Sequence, residues 1–377
     1  MALCGLACPG VGLADNKSNQ ASRREGVQDL ANDLAANVKT FLQKRGQLGI
    51  RVGHFTGSGL DHVNAGGLLM TNLVQALGNT VQVEAPLELG GKYLLTDDPN
   101  APNLKVILVR ASITDLKTGA DVKEFPEFVG YIRNATDFAR LTGATVVFKA
   151  DENYPGTPSQ GRRLDVQDSL PPKPGEKPKQ CTAFVHGSII RSHEASLYDV
   201  EILCGPTAKG PFTPLQATLD NPQFPGVPFV EIAKGHYYQV RVVNRDRKSR
   251  LGVFLHLDGI DQFAFSEDRN PDGSPKYKLW VVDPGKDIVI RGYHKNVYPG
   301  EVYGFLTTEH GHGAASKFPK LSQGNIGTIC VGLTRERARG EKGILETLPG
   351  DVIPEKQKVT EFRLGDIDEF VTIRYGR

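Results

Sequence analysis

The chain has no GxSxG elbow, no recognisable Cys and His setting for nucleophilic catalysis, and no Lys-Ser or Lys-Thr behind a glycine-rich loop. The commonest signatures of hydrolases and P-loop enzymes are therefore missing. Nor is there an apolar run of membrane-spanning length. Charge of either sign is not in excess: 45 Lys and Arg face 43 Asp and Glu, leaving +2. Such a balance gives no global field to gather nucleic acid or anionic lipid. Cysteine is sparse, at 5 residues, and Trp280 is the only tryptophan, placed in the apolar run KLWVV where a core role is expected.

Glycine and proline are abundant instead, at 42 and 24 residues, which describes a turn-rich globular protein. A length of 377 residues exceeds what one ordinary core serves, so two domains are expected. The stretch Gly235 to Phe265 sets the pattern for the second. Tyr238, Val240 and Val242 alternate with Tyr237, Gln239, Arg241 and Val243, and Leu251, Val253, Leu255 and Leu257 resume the alternation after the polar run Asn244 to Arg250. This reads as a β-hairpin with one face to bury against a second sheet.

In chain order, residues 1–14 are small and apolar and read as a signal remnant whose basic beginning is missing, or as a plain apolar N-terminus. Residues 22–150 form a small α/β domain. Val27, Leu30, Ala31, Leu34, Ala35, Val38, Phe41 and Leu42 recur at helical spacing, the strand Ile50 to Phe55 and a helix over 66–77 follow, and 80–84 is extended. KVILVRASITDL and VKEFPEFV then make a hairpin turned at Lys117 to Ala120, before a helix over 134–142 and a strand over 145–150. Residues 151–180 are rich in Pro and poor in apolar side chains, as a linker or surface loop would be. Residues 181–335 read as strands only, each bounded by Gly, Pro, Asn or Asp, the pattern of a jelly-roll or Greek-key β-sandwich. Residues 336–377 are a charged tail in which Val371 to Tyr375 returns as a last strand. The fold class is thus α+β: an N-terminal α/β domain followed by an antiparallel β-sandwich.

The helix of 27–42, the strand IRVGHF, the Gly-rich loop, the second helix and LVRASITDLKTGADV together resemble the α/β domain of the curli-secretion lipoprotein family, the TolB amino-terminal domain and lipoprotein activators of penicillin-binding proteins. YYQVRVVN, VFLHLDGIDQFAFSE, WVVDPGKDIVIRGYH and NIGTICVGL look like a β-sandwich domain common in uncharacterised envelope proteins of planctomycete-type bacteria. The resemblance implies an exported, periplasmic or secreted, non-enzymatic component that works through contacts with an envelope protein or surface polymer. A curli-type channel would need a lipidated cysteine after a clear signal and long membrane strands, so pore formation is not implied.

Candidate sites each have a plain alternative. Asp268, Asn270 and Asp272 with Gly273 match positions one, three, five and six of an EF-hand loop, but position twelve is Leu279. Calcium is the one cofactor these residues suggest, with Glu267 or Asp261 as further donors, and an ordinary turn is the competing reading. His310 and His312 form an HGH pair that, with His256 and His294, would suit a transition metal in a cupin-like enzyme. The loop Thr56 to Gly67 has His62 where a nucleotide-binding loop needs its third glycine. Cys181 and Cys204 stand symmetrically about the turn Arg191 to Ala195, and a cross-strand disulfide there would close a loop of about 23 residues, worth about 3 kcal/mol. Tyr237, Tyr293 and Tyr298 would serve a carbohydrate-binding module.

Overall fold

In the computed structural model, which describes residues 26–58, 65–148, 158–170, 183–271, 273, 275–298, 300–309, 311–317, 326–336, 345–350, 358–364 and 367–376, the stripe of 27–42 becomes helix α1 (Val27–Arg45). All eight apolar positions of that stripe are buried. Gly46 closes the helix in the left-handed region, at φ +65°, where a side chain would be strained. Strand β1 (Arg51–Ser58) follows, then α2 (Ala65–Leu77), β2 (Leu87–Asp98), β3 (Ala101–Asp115), β4 (Ala120–Asp121) and β5 (Phe128–Ile132). β1 pairs in parallel with β2, while β3 pairs antiparallel with β2, β4 and β5.

Two differences from the sequence expectation stand out here. β2 is a full strand of the sheet although Gly90 and Gly91 interrupt its alternation; a Cβ on Gly91 would lie 2.1 Å from the Arg110 carbonyl oxygen and 2.7 Å from the Phe55 ring. The glycine permits close packing there and does not end the strand. VKEFPEFV is not one continuous strand, because Pro126 has no N–H to offer, and pairing resumes only at Phe128.

Helix α3 (Ala135–Thr142) is capped by Asn134, whose side chain accepts from the Asp137 N–H, and β6 (Val146–Val147) comes next. β6 joins the sheet system of the second half of the chain, opposite Glu369 and Phe370. Helix α4 (Pro158–Asp168) lies in the proline-rich stretch expected to be a linker or surface loop. Pro158 suits the first helical position, and buried Arg163 and Val166 fix the helix inward.

The rest is strand-rich. β7 (Phe184–His186), β8 (Ile189–Arg191), β9 (Tyr198–Gly205), β10 (Thr213–Pro214), β11 (Ala217–Thr218), β12 (Phe229–Glu231), β13 (Tyr237–Asn244), β14 (Leu251–Leu257), β15 (Ile260–Asp261), β16 (Trp280–Val282), β17 (Asp287–Ile290), β18 (Gly292–Asn296) and β19 (Glu301–Leu306) precede a short helix α5 (Ala314–Lys317). β20 (Thr328–Arg335), β21 (Leu345–Gly350), β22 (Lys358–Arg363) and β23 (Glu369–Gly376) complete the order. One sheet runs β18-β19-β13-β9-β8-β7, with β10 on β9 and β17 on β13. The other runs β11-β12-β23-β20-β14-β15, with β16 on β14 and β6 on β23.

Both sheets feed one apolar cluster, from Val200, Ile202, Tyr238, Val240, Val242 and Phe305 on one side and Leu251, Val253, Leu255, Leu257, Val331 and Val371 on the other. The alternation read from Gly235 to Phe265 therefore gives the buried faces correctly. The pairing differs: β13 and β14 do not form a hairpin but belong to opposite sheets, β13 with β9, β17 and β19, β14 with β20, β15 and β16. Alternation identifies which face is buried, and two strands facing each other across a core satisfy it as well as two neighbours do. The connection is pinned by Asn244, whose side-chain nitrogen donates to the carbonyls of Ser249 at 2.9 Å and Val282 at 3.2 Å.

The outer faces of the two sheets have different surroundings. On the first, Arg241 spans Glu201 at 3.0 Å and Asp287 at 2.9 Å, and Arg191 meets Asp199 at 2.6 Å, so ion pairs cover that face. On the second, Cys330 and Phe370 are continuous with the apolar core of the N-terminal helices and sheet. Phe362 of β22 buries itself against Leu279, Phe254 and Val281 on the same sheet, where a Cβ on Gly252 would come within 3.0 Å of its ring.

Candidate functional site

The β18–β19 hairpin presents the densest group of exposed apolar side chains among the described residues: Tyr298 is 79% exposed, Tyr303 48%, Leu306 44% and Val302 36%. Its base is anchored by aromatic packing. Tyr293 meets Phe305 edge-on at 5.1 Å and Phe265 at 5.0 Å, and Phe305 stacks on Tyr238 at 5.3 Å. A bulge between His294 and Asn296 bends the ladder. Lys295 pairs with Glu301 at 2.6 Å and lies over the Tyr303 ring.

The expected calcium loop serves this hairpin. The Asp268 carboxylate accepts the Val297 N–H at 2.8 Å, which ties down the turn carrying Tyr298, and the Asn270 side chain donates to the Pro275 carbonyl at 3.3 Å. Asp268 and Asn270 are thus engaged in a braced turn, and Asp272 lies outside the described residues. His312 is exposed in the turn before α5, and His310 lies outside the described residues. Among the described residues no three His, Cys, Asp or Glu side chains gather as a metal site.

His256 and His294 stand on different sheets, His256 on β14 of the second and His294 on β18 of the first. His294 is buried within the sandwich beside Phe263, Tyr277 and Trp280, with its Nδ1 3.0 Å from Ser266 Oγ. Trp280 is core, as its setting predicts, and donates its Nε1–H to Gln262 at 2.6 Å. On the outer face of the second sheet a transverse row runs Asp261, His256, Cys330, Thr372 across β15, β14, β20 and β23. His256 Nε2 is 3.6 Å from Asp261 Oδ2.

That row has the residue types of a nucleophilic triad, and its electrostatics oppose the chemistry. Burial and the nearby Arg140 charge hold the His256 imidazole down at about 3, burial pushes the Cys330 thiol up to about 11, and burial lifts the Asp261 carboxyl to about 6. A neutral thiol beside a weakly basic imidazole is a packed interface, not an activated nucleophile.

Cys204 is a free thiol, and its cross-strand neighbours are Thr213 and Tyr238. Cys181 lies outside the described residues. The hairpin expected to oppose the two cysteines is cut at Gly187, which at φ +64° folds β7 back onto β8, so that only Ile190 faces β9, opposite Val200. Of the three tyrosines picked from sequence, Tyr298 is open, whereas Tyr237 and Tyr293 are half-buried. Val302, Tyr303 and Leu306 were not singled out by the sequence, whose alternation in EVYGFL does not say that the strand runs past its neighbour.

A scan against protein-family models and searches of curated proteins and solved structures found no match for this chain. No helix among the described residues is long and apolar enough to cross a membrane.

Proposed function

We propose that this protein is an exported, periplasmic or secreted, non-enzymatic component of the cell envelope that assembles with an envelope protein through the β18–β19 hairpin. The observation that supports it most is the grouping of Tyr298, Val302, Tyr303 and Leu306 on one braced hairpin. Exposed aromatic and aliphatic side chains held on a rigid support are the usual anchors of a protein contact. Desolvation lowers the His256 imidazole and raises the buried Cys330 thiol, which favours a contact role for the row over a catalytic one. The resemblance of the N-terminal pattern to envelope lipoprotein domains agrees with this reading.

A photo-crosslinking amino acid at position 298, in cells followed by envelope fractionation, tests it. One discrete adduct in the envelope fraction, lost when Leu306 is also changed to Ser, is the expected result. Absence of any adduct, or one tightly held transition metal per purified chain, overturns the proposal. Binding to a surface polysaccharide that disappears in Tyr298→Ala would favour the carbohydrate-binding alternative, for which the openness of the Tyr298 ring is the supporting observation.

A further inference from the structure

The connection between β8 and β9 carries a chain of hydrogen bonds that the contact hairpin does not use. Ser192 Oγ lies 2.5 Å from Glu369 Oε2 and 2.9 Å from His193 Nδ1. Ser196 Oγ donates to the same Glu369 oxygen at 2.7 Å; its other contact, the Tyr198 carbonyl at 3.4 Å, is the longer one. Both serines and Glu369 are buried, and the His193 ring is half-buried. Glu369 starts β23, opposite Leu333 of β20 and Val147 of β6, so its carboxylate reaches from the second sheet to a connection within the first. That connection is also fixed by the Tyr198 N–H, which donates to Ser196 Oγ at 3.1 Å, and by Arg245, which donates to the Ser196 carbonyl.

The supply of protons gives the chain its direction. An ionised carboxylate only accepts, and a hydroxyl has one proton to give. Ser192 gives its proton to Glu369, so it has none left for His193, and the Nδ1 beside it has to supply one of its own. Ser196 reinforces this order, because Oε2 already accepts two hydroxyls and is a poor place for a carboxyl proton. We propose that Glu369, acting through Ser192, holds the neutral His193 ring in the Nδ1–H tautomer and leaves Nε2, at the far edge of the ring, as an acceptor. The bond made at one ring nitrogen decides what the other can do, which is how carboxylates orient imidazoles directly; here a buried hydroxyl stands between them. Glu369 and Ser192 are positioning residues. The group they prepare takes a hydrogen-bond donor at Nε2 and turns away an acceptor.

Nuclear magnetic resonance of the full-length chain, isotopically labelled at the histidine ring nitrogens, tests the tautomer. Long-range nitrogen–proton correlations are read at the alkaline end of a pH series, where the ring is neutral, and the spin system lost in His193→Gln identifies the residue. Nδ1 is expected at the shift of a protonated ring nitrogen and Nε2 at that of an unprotonated one. Ser192→Ala removes the hydroxyl and is expected to move both resonances toward the reverse order, which a free imidazole favours. Ser196→Ala leaves the link from Glu369 to His193 in place and is expected to leave both shifts unchanged. Circular dichroism establishes that each variant is folded, and Ser192→Gly stands in should the alanine variant not fold. A wild-type ring with its proton on Nε2 overturns the proposal without any variant. So does a folded Ser192→Ala or Ser192→Gly protein that keeps the wild-type shifts, or a Ser196→Ala protein that reverses them, since the geometry of the connection and not the Ser192 hydroxyl would then set the ring.

Discussion

Arg163 donates to Asp98 at 2.6 Å, and Arg133 grips the same carboxylate from the other side, with Nε at 3.0 Å and Nη2 at 3.1 Å. Asp98 ends β2, Arg133 follows β5 and Arg163 is in α4, so this buried group fastens the helix of the proline-rich stretch to the N-terminal sheet. Burial alone would raise the Asp98 carboxyl; the bonds from Arg133, the Asn100 N–H and Arg163 outweigh it and hold the group below its ordinary 3.8.

Asp98→Asn leaves two guanidinium groups buried against a neutral amide. The expected loss is about 3–5 kcal/mol in urea unfolding. Because the native carboxyl is depressed, its contribution is complete above the unfolded value of 3.8 and is lost as pH falls through the lower native value. The variant is expected to lack that part of the acid limb. An unchanged midpoint at pH 7 would show that α4 is not held by this carboxylate.

How far the sequence could be followed depended on whether the signal was local. The stripe of α1 was legible because helical period and burial coincide, and the alternation in β13 and β14 named the right core residues. Their partners were not legible, because period two says nothing of which sheet a strand joins. β2 was hidden by glycines whose role, close approach to Arg110 and Phe55, is visible only with the neighbouring strand in place. α4 was hidden by composition, since one buried arginine and a distant aspartate do work that apolar residues usually do. The exposed hairpin was legible only at Tyr298, because solvent access to Val302 and Leu306 depends on where β13 begins.

Asp258 adopts φ +52°, the one non-glycine residue with a positive φ among those described, and its carboxylate accepts the N–H of Gly327 at 2.7 Å, the N–H of Thr328 at 3.2 Å and the hydroxyl of Tyr375 at 2.7 Å. Asp258→Ala strips the acceptor and strains the turn, for an expected loss on the order of 3 kcal/mol. Asp258→Asn, which tolerates the left-handed region and keeps one oxygen, is expected to lose about 1 kcal/mol. Equal losses in the two variants, measured by chemical unfolding, would place the effect in the backbone alone.

Thiol labelling distinguishes the two described cysteines. Cys330 is buried and its thiol is raised to about 11, so iodoacetamide at pH 8 is expected to spare it in the native protein and modify it once urea unfolds the chain. Cys204, half-buried and also raised by burial, is expected to label slowly without any reductant, as a free thiol does. Peptide mass analysis reads both. Native labelling of Cys330 at the rate of Cys204 would mean that the cover formed by the N-terminal helices opens readily.

His256 and Asp261 give the clearest pH signature, because burial moves them in opposite senses. The native imidazole is held at about 3 against 6.5 when unfolded, so its contribution to stability is complete above 6.5 and is lost as pH falls toward 3. The native carboxyl is raised to about 6 from 3.8, so its contribution is complete below 3.8 and is lost as pH rises through 6. Over the shared range, about 4 to 6, the unfolded chain carries the proton on His256 and the native chain carries it on Asp261, and the two slopes cancel. Removing either group exposes the other. His256→Gln is expected to lose stability as pH rises from about 4 to 6, and Asp261→Asn to gain it over the same interval, with the wild type nearly flat between them. Arg140, the charged neighbour of both, is unchanged in each variant and lowers both groups, so it does not account for slopes of opposite sign. Urea midpoints taken at half-unit steps across that interval measure the slopes. Parallel profiles for the wild type and both variants would mean that neither group is desolvated in the native protein, and that the face of the sheet beneath α3 is wet.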